Sequence, residues 1–166
     1  MIFSGNIERE VIKQVVQNLD QYLQSLDWQN TDTTQTNFYK ISDYFNVDEF
    51  ISDTYNRIGL VIDYVGNPTP VEIGNPYLVR EPLRLQFVVV SSDADVAQDL
   101  AACVKTYFQL LPLIPLTDGT DQVGTVEVIT VNASQIMPRS ELETKQTRHW
   151  WGIEVGLEII VSLKEV

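Results

Sequence analysis

Trp150-Trp151-Gly152-Ile153-Glu154-Val155-Gly156-Leu157-Glu158-Ile159-Ile160-Val161-Ser162-Leu163 alternates between two kinds of residue over its whole length. Trp151, Ile153, Val155, Leu157, Ile159, Val161 and Leu163 share one face. Trp150, Gly152, Glu154, Gly156, Glu158, Ile160 and Ser162 share the other. A period of two sustained this far is a β-strand with one face on a core. At about 3.3 Å per residue it runs ~46 Å, longer than most strands. That length predicts that its end pairs outside the domain's own sheet.

Three further strands are legible upstream. Residues 57–65 place Ile58, Leu60, Ile62 and Tyr64 on one face, and residues 83–90 place Leu83, Leu85, Phe87 and Val89 opposite Arg84 and Gln86. Residues 124–131 are apolar and β-branched. Two helices frame them. Ile7, Val11, Ile12, Val15, Val16, Leu19, Tyr22, Leu23 and Leu26 form one stripe, with Asn6 as N-cap and Glu8 and Glu10 near the positive end of the dipole. The second helix follows the capping cluster Ser91-Ser92-Asp93. It carries Val96, Leu100, Cys103, Val104, Tyr107, Phe108 and Leu111, and Pro112 ends it.

The order α-β-β-α-β-β predicts an α+β fold: a two-layer sandwich of two helices on a four-stranded, mainly antiparallel sheet, with a long β-arm or loop insertion. It is a circular shift of the ferredoxin-like order. With 166 residues, 44% of them apolar, the chain reads as one domain over 1–166. Residues 27–57 are an aromatic and polar insert. Val47, Phe50, Ile51 and Tyr55 have helical spacing there, which predicts a turn of helix over 47–54, with extended chain as the alternative.

Charge and chemistry narrow the function. The net charge of −12 repels phosphate, which disfavours duplex DNA or an anionic membrane as a tightly held ligand. Cys103 and His149 are each the only residue of their type, so disulfide frameworks and His- or Cys-based zinc motifs are absent. The sequence has no phosphate-binding glycine motif and no nucleophile elbow. Asp93 and Asp95 read as helix-capping acids rather than a metal pair. Asp118-Gly119-Thr120-Asp121 reads as a turn before a strand rather than a calcium loop. Cys103 sits on a core stripe. No catalytic residue, metal or cofactor is expected. The opening residues lack the basic start and apolar run of a secretion signal, and no apolar stretch approaches the ~20 residues of a membrane span, so cytoplasmic assembly is expected.

What remains is two long connections, 66–81 and 132–149, which combine apolar and basic anchors as protein contacts do. The candidate interface residues are Val71, Ile73, Tyr77, Arg80 and Arg84 in and beside the first. Ile136, Met137, Arg139, Arg148 and Trp150 belong to the second.

In this arrangement the chain resembles the tail terminator or tail completion proteins of long-tailed bacteriophages. The resemblance rests on the opening helix ending near Leu26-Asp27-Trp28, the hairpin with a long arm, and Ser91-Ser92-Asp93-Ala94-Asp95 leading into the second helix. It rests also on the closing strand that begins Arg148-His149-Trp150-Trp151. It covers most of the chain apart from 27–57. It implies a non-enzymatic virion protein, assembled in the host cytoplasm, that forms a ring, typically a hexamer. Such a ring caps the tail tube at the neck. Its implied partners are copies of itself, the tube protein, the neck or stopper protein, and a sheath protein where the tail contracts. DNA only passes through the lumen, which six chains would line with a total charge of about −72, six times −12. The alternatives are another head-completion or connector protein, or a ferredoxin-like binding module.

Overall fold

The computed structural model describes residues 2–30, 37–46, 55–110, 113–136 and 148–164. Among them are a 3-10 turn (Ser4–Asn6), helix α1 (Ile7–Ser25), helix α2 (Ala94–Leu110) and eight strands. The strands are β1 (Gln29–Asn30), β2 (Phe38–Ile41), β3 (Arg57–Val65), β4 (Thr69–Glu72), β5 (Asn75–Ser91), β6 (Leu113–Asp118), β7 (Asp121–Ile136) and β8 (His149–Ser162). The helical turn expected over 47–54 lies outside the described residues.

The sheet corrects the expected two-layer sandwich. It has eight strands rather than four, in the order β1-β2-β3-β5-β8-β7-β6, with β4 added to β5. β1 and β2 run parallel to their neighbours and the remaining pairs are antiparallel, so the sheet is mixed, and it curls as a half-barrel. The reason lies in strand length. β5 spans 17 residues, enough for β3 and then β4 to pair along one of its edges while β8 occupies the other. β8 does not reach beyond its own sheet: it pairs with β5 from Ser162 to His149 and with β7 from Val161 to Trp150. The connection expected over 132–149 is shorter than the sequence suggests, because β7 continues to Ile136.

One face of the curl carries the core. Val79, Leu83, Leu85, Phe87 and Val89 of β5 and Ile153, Val155, Leu157, Ile159 and Val161 of β8 are all buried there. Leu100, Val104, Tyr107 and Phe108 of α2 pack on them, with the Phe87 and Phe108 ring centroids 5.2 Å apart. Gly124 in β7 has no room for a side chain, since a Cβ would lie 2.2 Å from the Ile160 carbonyl oxygen. Helix α1 packs against α2 and against both β1 and β6, the two ends of the sheet. Gln14 pins one end: its amide donates to Thr117 O at 2.6 Å and accepts from Thr117 N–H at 3.1 Å. Asp20 pins the other, accepting from the Tyr39 hydroxyl of β2 and from Asn30 Nδ2 at 3.1 Å. The helix thus ties the sheet's two ends together, and Gln14 satisfies backbone groups of edge strand β6 that would otherwise be open to another strand.

Candidate protein-interaction surface

The stretch 66–81 is a β-arm. The chain bends at Gly66, whose N–H donates to Pro82 O at 2.8 Å. A Cβ at Gly66 would sit 2.2 Å from Pro82 Cγ, so only glycine allows this approach. Thr69 then pairs with Arg80, Pro70 with Val79 and Glu72 with Asn75. Ile73 and Gly74 make the two-residue turn, and Gly74 has φ +83°, the left-handed value a type II turn needs at its second central position. The proline at 70 fits this place because β4 is an edge strand. Beyond Ser162 the arm has little support: Leu163 N–H donates to Tyr77 O at 2.7 Å, and Asn75 to Tyr77 lie past the last β8 partner.

The result is an apolar tip in solvent. Ile73 is 108% exposed, with Val71 at 39% and Tyr77 at 38% beside it. β3 joins this projection, being buried from Arg57 to Leu60 and exposed from Ile62 to Val65. The other candidate residues divide by place. Arg80 pairs with Glu158 on β8 at 3.1 Å, and Arg84 stands exposed on the sheet face away from the helices.

The second group does not join the arm. Ile136 packs at the far end of the sheet against a small second core of Val88, Val90 and Trp150. Trp150 is buried there, edge-on to Phe45 with ring centroids 6.1 Å apart. Arg148 is also buried and donates through Nη2 to Tyr55 O at 2.5 Å. These two side chains therefore anchor the protein's own interior. Met137 and Arg139 lie outside the described residues.

Two exposed residues escaped the sequence reading. A β-bulge between Ile62 and Tyr64 turns Tyr64 to the face opposite Ile58 and Leu60, where it pairs with Arg84. This corrects the single face expected for Ile58, Leu60, Ile62 and Tyr64. Asp63, a charge inside an apolar run, is the signal that marks the extra residue. A second bulge in β7 pushes Ile129 out between Val128 and Thr130. Tyr64 and Ile129 then wall a shallow groove of about 270 Å³ on the outer face, floored by Gly156.

Among the described residues no three His, Cys, Asp or Glu side chains are grouped as metal ligands, and no helix is long and apolar enough to cross a membrane. Asp93 caps α2 through its Oδ1, which accepts from Asp95 N–H at 2.9 Å and Val96 N–H at 3.2 Å. Asp118 and Asp121 face each other across the turn between β6 and β7, where Gly119 has φ +67°. Cys103 is half-buried, and burial pushes its thiol pKa up, away from a reactive thiolate. No family model matches the chain, and no curated protein is significantly similar to it.

Proposed function

We propose that this chain is a structural protein of a long-tailed phage that assembles into a ring, terminates the tail tube and joins it to the neck. The observation that carries the reading is the β-arm with the bare Ile73 at its tip. Covering this isoleucine with another molecule gains about 25 cal/mol per Å² of apolar surface removed from water. The net charge of −12 fits a lumen through which DNA moves without adhering.

Disruption of the coding sequence in the phage that carries it tests the role. Electron microscopy of the lysate should show filled heads without tails beside tubes longer than the normal tail, because nothing stops tube growth. Tails of normal length lying free of heads would instead place the protein on the head side, as a completion or connector protein. Intact particles would overturn both positions.

A further inference from the structure

We infer that the arm of one copy seats in the outer-face groove of the next, with Ile73 entering between Tyr64 and Ile129 and Glu72 meeting Arg84. The inference rests on the self-assembling role proposed above and assigns its two contact surfaces. Two exposed side chains, Tyr64 at 54% and Ile129 at 55%, give the groove its apolar walls. Pro82, Gly156 and Thr130 line it as well, together with the charged Arg84 and Glu158, and its volume of about 270 Å³ takes an isoleucine side chain.

Charge selects the orientation. Arg84 lines the groove between Tyr64 and Gly156 and makes no ion pair among the described residues, although the chain is strongly acidic. Its diagonal neighbour Glu158 is held by Arg80 at 3.1 Å, which blunts the repulsion an incoming carboxylate would feel. Glu154, the other diagonal neighbour, is exposed and turned to solvent one row away, opposite Gln86. Glu72 adjoins Ile73 at the arm's tip and is likewise without an ion pair among the described residues. An apolar knob beside an acid therefore matches a groove with apolar walls and a base in its lining.

The arm cannot fill the groove of its own chain. Asn75 at the tip and Arg84 at the groove belong to one continuous strand, nine residues apart. That separation is ~30 Å of extended backbone, which does not fold back on itself. Donor and acceptor are different patches of one surface, so a head-to-tail contact propagates into a ring or a filament. Two copies exchanging arms would instead close as a two-fold dimer and stop cysteine cross-linking at dimer, which would overturn the ring. One arm covers much less than the ~1,200 Å² of a stable interface, so a single contact is weak and ring closure supplies the avidity.

Paired cysteines test this in a Cys103→Ala background. Ile73→Cys and Ile129→Cys in the same chain should give, after mild oxidation, a denaturing-gel ladder of dimer, trimer and higher bands. Each single variant should stay monomeric, and a mixture of the two singles should give dimer alone. Glu72→Arg or Arg84→Glu should each lower the yield about tenfold, and the two together should restore it. Both side chains are exposed, and circular dichroism checks that each variant folds. Dimer from Ile73→Cys alone would mean that arms meet arms and would overturn the assignment. Rings in the microscope with no bond in the double variant would overturn the groove while leaving the ring intact. A full ladder from a protein whose loss leaves phage tails normal would support the contact and refute only the tail role.

Discussion

Glu81 stands in β5 between Val79 and Leu83 and is buried on the face that meets the helices, where it hydrogen-bonds to Glu8 at the start of α1. Burial first, and then the neighbouring Glu8, push its pKa up from 4.5 to about 8. Between those values the folded chain keeps a proton that the unfolded chain releases. The stability it confers is therefore complete below its unfolded pKa of 4.5 and is lost as pH rises through about 8. Glu81→Gln keeps the shape without the titration. In urea melts it should stabilise the protein by about 1–3 kcal/mol near pH 8.5 and by little near pH 5. An equal shift at both values would show that the carboxyl is not protonated in the fold. The sequence shows Glu81 only as one more acid, because its burial comes from tertiary packing that brings it beside Glu8 of α1, 73 residues away in the chain. Asp93 was legible for the opposite reason: a cap is local, and its partners lie two and three residues on.

Among the elements, the two helices, β3, β8 and the inner stretches 83–90 of β5 and 124–131 of β7 were legible from their apolar runs, while the outer parts of β5 and β7 were not. Nor were the strands that turn four into eight. β6 contains Pro115 and β4 contains Pro70, which argue against a central strand and fit the edge positions both occupy. β1 has two residues and β2 four, too few to show a period. β1 and β6 lie at the sheet's two ends, where α1 holds them, which predicts an effect at Gln14. Gln14→Leu leaves Thr117 N–H and C=O without their amide partner and should cost about 1–2 kcal/mol in urea or thermal melts. It should also speed amide hydrogen exchange at Thr117 selectively. Unchanged exchange there would show that β6 is held by its pairing with β7 alone. The candidate interface was half legible: turn residues and exposed apolar positions mark the arm, whereas Tyr64 and Ile129 reach the surface only through bulges that break the alternation. Trp150 and Arg148 followed a connection judged exposed, yet they close the second core from the end of β8.

At the scale of the molecule, the half-barrel is a rigid frame from which one β-arm projects, and the frame presents a groove on the face its helices leave open. Arm and groove sit about nine residues apart on the same long strand β5, which in the proposed assembly would set the spacing between neighbouring copies. We propose that the chain assembles with itself through this arm. Negative-stain electron microscopy of the purified protein across a concentration series tests it most directly, with Ile73→Asp as the control. Rings of about six subunits around an open centre, lost in Ile73→Asp while its circular dichroism is unchanged, are the predicted result. Isolated particles at every concentration, with a radius of gyration of ~15 Å as for one compact domain of this length, would contradict it.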